Sequence, residues 1–191
     1  RIYRLNEIMN FQAKDDPFAL TSMRVFNELK NRFSEVEKAT SLFRIPEQTV
    51  WYEGNSFSFD DNYFADSSFL EVFPFELIKG NSKTALIEPK SIVISEDVAK
   101  TIFGDVDPLG KMLQYSKNSY KVTGVIDPKA NPSHFGNISA LLSINSMSSN
   151  LKQNISEDYG QLSMYSYFKL RELQDPKLVE QKINEWSLKT I

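Results

Sequence analysis

The chain has 191 residues, of which 41% are hydrophobic and 25% charged, and its formal net charge is −3 at pH 7. This composition suits a globular fold of one domain or two small lobes, and the acidic balance argues against a nucleic-acid surface. The absence of cysteine excludes disulfides and thiolate sites, and no run of 18 apolar residues is present that could span a membrane.

The first part of the chain predicts a strand and then a helix. Residues 1–9 alternate between apolar and polar side chains, which indicates a strand. Asp16 followed by Pro17 is typical of a helix start, and the helix is expected to end near Ser34. Its predicted apolar face consists of Ala19, Met23, Phe26 and Phe33, with Leu29 beside them.

The middle of the chain predicts short strands joined by glycine and proline turns. Asp66 is expected to cap a short helix that Pro74 ends. A second helix is expected to begin at an N-cap, Ser95, and to end at Gly104. The strands are expected at residues 37–43, 49–52, 56–60, 75–78 and 91–94, with a hairpin of 111–115 and 120–126.

The last part of the chain predicts longer helices again. Residues 127–136 form a loop rich in Pro, Gly and Asn, and this loop is the predicted boundary between two lobes. Strands are expected at 138–142 and 162–170, with a short helix to Asn150 between them. Asp175-Pro176 repeats the cap-plus-proline pattern. The helix after it has an apolar stripe of Leu178, Val179, Ile183 and Trp186.

The chain begins at Arg1 inside the first strand pattern and ends inside the last helix pattern, and it shows no signal peptide. A trimmed fragment would have such ends, and so would a soluble domain that lies between two membrane segments. The ends by themselves do not separate the two interpretations.

One segment, GDVDPLGK from Gly104 to Lys111, superficially resembles a nucleotide-binding loop. Five residues separate its glycines where a phosphate loop needs four, and Met112 stands where that loop needs Ser or Thr. A calcium loop does not fit either, because Leu109 and Ser116 stand at positions that need a polar ligand and a bidentate Glu. A helix end followed by a tight turn is the expected structure.

Four side chains are candidates for hydrolytic chemistry: Asp60, Asp61, Asp66 and the only histidine, His134. A solvated turn, a helix cap and a loop residue explain them more simply, because a catalytic triad or a zinc site needs several converging groups. No residue is therefore assigned a catalytic, cofactor-binding, metal-binding or partner-binding role, and no cofactor is expected.

Aromatic residues are concentrated in one stretch of the middle segment. Most are expected to lie in a core, and some could instead line a groove for a sugar or a peptide. They are Phe57, Phe59, Tyr63, Phe64, Phe69, Phe73 and Phe75.

Several segments together carry a family resemblance that none of them carries alone. They are RIYRLN, YFADSSFLEVFPFELIKG, TALIEPKSIVISEDVAKTIFG, DVDPLGK, YKVTGVI and NPSHF, in this order. The chain resembles the MacB-like periplasmic core domain of FtsX-type ABC transporter permeases, and it is nearest to the form found in Bacteroidetes-type bacteria. The similarity is strongest over residues 63–135 and weaker toward both ends.

The resemblance implies an α+β fold of two lobes. A porter-like lobe with βαβ-type units is expected from residues 1–43 and 138–191, and a β-rich, sabre-like lobe is expected to be inserted as residues 44–137. The resemblance also implies a periplasmic domain of an inner-membrane protein, placed between the first and second membrane helices of a permease. Such a domain is non-catalytic and couples cytoplasmic ATP-driven motion, a role called mechanotransmission, to efflux or to other handling of a periplasmic substrate.

The partners that the resemblance implies are a second permease copy and cytoplasmic ABC ATPase subunits. A periplasmic adaptor or an outer-membrane component would be a further partner, and no nucleic acid is expected. Two other functions remain open from the residues alone. One is a stand-alone periplasmic binding module for a glycan, peptide or lipid that uses the aromatic stretch, and the other is a hydrolase that uses Asp60, Asp61 or His134.

Overall fold

The computed structural model describes residues 1–11, 14–130, 134–135, 138–156 and 162–190, and for residues 7–11 and 14–18 it describes the backbone alone. The chain divides into two compact units. Unit 1 combines Arg1–Ser41 with Ser148–Ile191, and unit 2 is the segment between them, Leu42–Met147. Both units contain strands and helices, which confirms the predicted α+β class.

Thirteen strands and five α-helices are described, with one turn of 3-10 helix at Ile144–Ser146. Strand β4 begins in unit 1 and ends in unit 2. In chain order the elements are β1 (Ile2–Leu5), β2 (Glu7–Phe11), β3 (Lys14–Phe18), α1 (Met23–Arg32), β4 (Val36–Ile45), β5 (Gln48–Tyr52), β6 (Asn55–Phe59), β7 (Asn62–Ala65), α2 (Phe69–Val72), β8 (Glu76–Gly80), β9 (Ser91–Ser95), α3 (Glu96–Phe103), β10 (Met112–Tyr115), β11 (Asn118–Asp127), β12 (Ala140–Ser143), α4 (Ser149–Ser156), β13 (Met164–Leu170) and α5 (Pro176–Thr190).

The sheet of unit 1 has the strand order β1-β13-β4. β1 is antiparallel to β13, with Ile2 opposite Lys169. The N–H of Arg171 donates a hydrogen bond of 2.9 Å to the carbonyl of Glu35, so β4 starts where β13 ends and these two strands are antiparallel as well. β2 and β3 form a separate two-stranded hairpin.

Helices α1 and α5 share one hydrophobic cluster with the three strands of this sheet. Burial of these side chains is the main favourable term in the stability of unit 1. The buried members are Leu5, Val25, Phe26, Leu29, Val36, Ala39, Phe168, Val179 and Ile183.

Unit 2 is built on a mixed sheet that begins with the end of β4. Its strand order is β4-β7-β12-β9-β11-β10-β5-β6, and β8 pairs with the second half of β11. The pairs β7–β12 and β9–β11 are parallel, and the other described pairings of unit 2 are antiparallel. Helix α3 packs on the sheet through Ala99 and Phe103, which belong to the same buried cluster as Val50, Ile92 and Leu142.

The first helix starts later than the sequence predicted. Asp16 and Pro17 lie in β3, where they pair with Met9 and Ile8, so they do not open a helix. The N-cap is Ser22, whose hydroxyl accepts a hydrogen bond of 3.1 Å from the N–H of Val25. The prediction was wrong because the cap-plus-proline pattern is local, whereas the hairpin pairing that overrides it is not.

The helix start at Ser95 and the helix end at Gly104 were both predicted correctly. The Ser95 hydroxyl accepts a hydrogen bond of 3.2 Å from the N–H of Val98. Gly104 has φ 58° and ψ −122°, which differs from the left-handed helical conformation that a glycine end predicts. Its N–H still donates to the carbonyl of Lys100 at 3.0 Å, so α3 ends here.

The second unit boundary lies ten residues later than the boundary drawn from the loop composition. The sequence divided the lobes after Asn137, whereas the units divide after Met147. The strand between these positions, β12, pairs with β7 and with β9 and so belongs to unit 2. The first boundary differs by two residues, after Ser41 in the structure and after Phe43 in the prediction.

Candidate functional site

Unit 1 contains an open cavity of about 370 Å³ between strand β1, strand β13 and helix α5. This volume is in the lower part of the range of small-molecule and peptide-side-chain sites. The cavity, called here the β1 groove, is lined by Tyr3, Arg4, Leu5, Asn6, Phe168, Leu170, Pro176, Lys177, Val179, Glu180, Ile183 and Asn184.

The strand side of the β1 groove is held by one stacked pair of rings. Tyr3 and Phe168 lie directly opposite each other on β1 and β13, and their ring centroids are 5.8 Å apart at an interplanar angle of 26°. Aromatic cross-strand pairs of this kind stabilise an antiparallel sheet and fix its register. Leu5 adds a buried aliphatic side chain beside them.

The helix side of the groove is positioned by the start of α5. The carboxylate of Asp175 accepts a hydrogen bond of 2.9 Å from the N–H of Lys177, and Pro176 occupies the first helical position, as the sequence predicted. Val179 and Ile183 are buried against the sheet, whereas Leu178, which was predicted to belong to the apolar stripe, is 57% exposed.

An ion pair attaches α5 to the segment that enters β4. The ammonium of Lys182 donates to the carboxylate of Glu35, and this hydrogen bond is the largest cause of a lowered pKa of Glu35. Arg171 adds a hydrogen bond of 2.8 Å from its Nε to the carbonyl of Ser34. The first contact joins α5 to the start of β4, and the second joins the end of β13 to the same segment.

The rim of the groove is polar and of mixed charge, and its floor is apolar. Arg4 and Lys177 contribute cations and Glu180 contributes an anion, and the Nε of Arg4 donates to the side-chain oxygen of Asn6 at 2.9 Å. An apolar floor with polar edges suits an extended polypeptide better than a small ion.

The three aspartates predicted as hydrolytic candidates have separate structural roles. Asp61 pairs with the guanidinium of Arg44 at 3.3 Å, and Asp66 accepts a hydrogen bond of 2.9 Å from the N–H of Ser68 just before α2. Asp60 is exposed at the end of β6. His134 is exposed, and its ring lies 4.1 Å from that of Phe135.

The aromatic stretch contributes to the core of unit 2 rather than to an open groove. Phe69 contacts Phe73, Phe75 and Phe135 with centroid distances of 5.1 to 5.9 Å, and Tyr63 contacts Phe135 at 6.1 Å. Five members of the predicted set are buried, and two are half-buried, which confirms the expectation that most are core residues. The buried ones are Phe59, Tyr63, Phe69, Phe73 and Phe75, and the half-buried ones are Phe57 and Phe64.

The segment that resembles a phosphate loop is a helix end followed by a turn. The N–H of Gly110 donates to the carbonyl of Val122 at 2.8 Å, which anchors the turn to β11. The carboxylate of Asp107 accepts from Lys79 at 2.9 Å and from the N–H of Leu109 at 3.3 Å. The hydrogen bond from Lys79 is the main cause of a lowered pKa of Asp107, so this carboxylate has partners within the fold.

Within the described ranges, no three His, Cys, Asp or Glu side chains converge as a metal site would require. None of the described helices combines the length and the hydropathy that a membrane crossing needs.

The sequence model of the MacB-like periplasmic core domain matches residues 2–186, nearly the whole chain. The chain belongs to the family of MacB-like periplasmic core domains. It is therefore a periplasmic domain of a MacB-like ABC transporter permease, which is an inner-membrane protein. No individually curated protein matches the chain.

Three solved structures have a similar fold. A domain of a protein named as a permease from Porphyromonas gingivalis superposes with a TM-score of 0.75 at 22% identity, over 93% of this chain and 74% of that one. The periplasmic region of MacB from Actinobacillus actinomycetemcomitans gives 0.65 at 16% identity, over 87% and 72%. The extracellular domain of the ABC-type transporter YknZ from Gram-positive bacteria gives 0.64 at 16%, over 95% and 88%.

The β1 groove is the feature that the sequence did not indicate. The alternation in residues 1–9 and the Asp175-Pro176 pattern predict the strand and the helix that form its walls. The space between them depends on how β1 and α5 lie against β13, and no local pattern contains that information.

Proposed function

We propose that this domain is non-catalytic and couples ATP-driven motion in the cytoplasm to the handling of a substrate in the periplasm. The single observation that supports this proposal is the family match over residues 2–186. Membership in this family makes the domain part of a transporter whose energy source lies on the other side of the membrane, so its contribution is mechanical.

We propose further that unit 1 is the porter-like lobe and unit 2 the sabre-like lobe of such a domain. Unit 1 is formed by both chain ends and contains the βα units β1–α1 and β13–α5. Unit 2 is a single inserted segment that carries eight complete described strands. In a domain placed between two membrane helices, the lobe formed by both chain ends is the one connected directly to the membrane.

The proposed partners are a second copy of the permease and a pair of cytoplasmic ABC ATPase subunits. A periplasmic adaptor or an outer-membrane component would complete an efflux system. The non-catalytic assignment is supported by the structural partners of two of the candidate carboxylates, because Asp61 pairs with Arg44 and Asp66 accepts a hydrogen bond from the N–H of Ser68.

A distance measurement between two labels tests the coupling. Leu173 is fully exposed in unit 1, and the 191 residues contain no cysteine, so a Leu173→Cys substitution gives one spin label in each copy of the domain. In the complete permease with its ATPase, in lipid nanodiscs, we expect ATP to change the label-to-label distance distribution. The matched control is the same label with an ATPase variant that does not bind ATP.

Two results would contradict the proposal. One is an identical distance distribution with and without ATP in a complex that hydrolyses ATP. The other is tight binding of ATP by the isolated domain, because a mechanical domain has no need of its own nucleotide site.

A further inference from the structure

Four neighbouring strands of unit 2 turn one face to the core and the other face to solvent. They are β6, β5, β10 and the first part of β11, in this order across the sheet. Val50, Leu113 and Tyr120 belong to the buried cluster, and the residues that alternate with them along the strands point outward. These outward side chains, called here the Trp51 face, are all exposed: Thr49, Trp51, Ser56, Ser58, Met112, Gln114, Ser119 and Lys121.

One row of side chains crosses all four strands at the level of Trp51. Trp51 lies opposite Ser56 on β6 and opposite Gln114 on β10. Gln114 in turn lies opposite Ser119 on β11. Because neighbouring strands are about 4.8 Å apart, the row of four side chains is about 14 Å long. This length suits a ligand of several rings better than a single ion.

Trp51 is 47% exposed on this face, although tryptophan is on average a well-buried residue. An aromatic residue in a strand stabilises its sheet when an aromatic or β-branched residue lies directly opposite. The two residues directly opposite Trp51 are a serine and a glutamine, which are of neither kind. Stabilisation of the sheet therefore does not account for an exposed indole at this position.

The side chains beside Trp51 are neutral and can both donate and accept hydrogen bonds. The hydroxyl of Ser119 donates to the amide oxygen of Gln114 at 3.1 Å, which orients the exposed amide and leaves its NH2 group as a donor. Thr49 and Ser58 lie opposite each other on the neighbouring row and add two hydroxyl groups. The face thus combines one large aromatic surface with several neutral hydrogen-bonding groups.

This composition disfavours several classes of ligand. Phosphate groups are bound by clusters of Arg and Lys, and Lys121 is the single cation of the face. The carboxylate of Glu47, which accepts a hydrogen bond from the hydroxyl of Ser58, adds a negative charge at its margin. A small apolar molecule needs a concave pocket, whereas this surface is the open side of a sheet. Protein interfaces are depleted in serine, and three of the eight side chains here are serine.

We propose that the Trp51 face binds a neutral oligosaccharide, with one pyranose ring stacked on the indole of Trp51. A pyranose has an apolar face of C–H groups and an edge of hydroxyl groups. The C–H groups carry a small positive charge and are attracted to the negative face of the indole. The hydroxyl groups exchange hydrogen bonds with Gln114 and Ser56 on either side of Trp51. Met112, a diagonal neighbour of Trp51 that is 50% exposed, extends the apolar area.

Tryptophan fluorescence can test the proposal, because the chain has two tryptophans and one lies in each unit. Trp186 packs edge-on against Phe33 in unit 1, and its indole N–H has no described partner, so phenylalanine is a mild replacement there. Trp186→Phe leaves Trp51 as the only reporter, and Trp51→Phe leaves Trp186 as the matched control.

The probes are cellotetraose and the β-1,4-linked tetramer of N-acetylglucosamine, added to the 191-residue chain. We expect at least one of them to give a saturable change in the emission of Trp51 and no change in the emission of Trp186. The absence of a saturable change at Trp51 with both probes would overturn the proposal. An equal change in the two variants would show an unspecific effect of the sugar and would also overturn it.

A pair of glutamine substitutions locates the site. In the Trp186→Phe background, Gln114→Ala is expected to raise the dissociation constant about threefold to tenfold, because hydrogen bonds to the amide are lost. Gln174 is an exposed glutamine of unit 1, and Gln174→Ala is expected to leave the dissociation constant unchanged. Equal effects of the two substitutions would contradict the assigned site.

A change in the emission of Trp51 that follows protein concentration without any sugar would assign the face to a second copy of the chain and would overturn the proposal. This inference goes beyond the proposed function and does not depend on it, since the titration uses no ATPase and no membrane. A negative result therefore rejects the saccharide site and leaves the coupling proposal to the spin-label experiment.

Discussion

The side chain of Tyr115 lies in the core of unit 2, where it is 4% exposed and contacts Phe59 and Tyr120. Its hydroxyl has no hydrogen-bond partner among the described residues. Burial raises the pKa of Tyr115 well above its ordinary value, because the ionised form would have to lose its hydration. A buried hydroxyl without a partner reduces stability compared with an apolar group of the same shape.

Tyr115→Phe is therefore expected to increase the free energy of unfolding by about 1 kcal/mol at neutral pH. Above about pH 10 the tyrosine of the unfolded wild-type protein ionises while the folded one keeps its proton, so the wild-type protein loses stability as pH rises. The stability difference in favour of the variant should therefore grow above that pH. Burial also raises the pKa of Tyr120, so the variant keeps part of this dependence of stability on pH. Urea unfolding at pH 7 and pH 10.5 measures both effects, and a destabilised variant would show that the hydroxyl has a partner.

Gly104 has a backbone conformation that only glycine adopts readily, with φ 58° and ψ −122°. A Cβ at this position would meet no atom within 4 Å, so a substitution is penalised by backbone strain and not by a clash. Gly104→Val is expected to reduce stability by about 1 kcal/mol or more. Thermal unfolding measures the change, with Gly104→Ala as the less strained comparison, and an unaltered melting temperature would refute the assigned helix end.

At the scale of an element, the start of α1 shows strand pairing overriding a local preference for a helix cap. The sequence placed the helix cap at Asp16, and the structure places it at Ser22, whose hydroxyl accepts from the N–H of Val25. Between these two positions lie the end of β3 and an isolated bridge of Thr21 with Met164. Tertiary pairing thus decides where this helix begins.

Ser22→Ala is expected to reduce the free energy of unfolding by about 1 kcal/mol, because it removes the cap of α1. Asp16→Ala is the matched comparison and is expected to have a smaller effect, because its backbone lies in a strand. Chemical denaturation of both variants ranks the two positions. A larger loss of stability from Asp16→Ala than from Ser22→Ala would support the predicted helix cap at Asp16.

At the scale of the whole molecule, each unit has a buried hydrophobic cluster of its own. Leu29 is fully buried in the cluster of unit 1, and Phe69 is fully buried among the aromatic residues of unit 2. Because each cluster draws its members from one unit, a cavity in one core removes contacts chiefly from that unit.

Leu29→Ala is expected to cost about 3 kcal/mol and Phe69→Ala about 4 kcal/mol. Hydrogen exchange of the full chain should show the larger loss of protection within residues 23–41 and 164–190 for Leu29→Ala, and within residues 42–147 for Phe69→Ala. Each variant serves as the control for the other. Equal loss of protection in both units from either variant would mean that they unfold as one cooperative body.

The sequence by itself determined the features that depend on neighbouring residues. The cap at Ser95, the helix end at Gly104, the strand and turn pattern from Thr49 to Phe59, and the start of α5 after Asp175 are all set by local hydrogen bonds and backbone preferences. The family was also evident, because the order of these motifs is contained in the sequence.

Only the tertiary structure decided which strands pair with one another. β12 follows a loop that looked like a lobe boundary, yet it lies between β7 and β9 in unit 2. The groove beside β1 depends on how β1 and α5 pack against β13, which lies between β1 and β4 in the sheet. Contacts between residues far apart in the chain set this order, such as Ala140 with Asn62 and Ile2 with Lys169. The alternation within a single strand fixes which face is buried but not which strand is its neighbour.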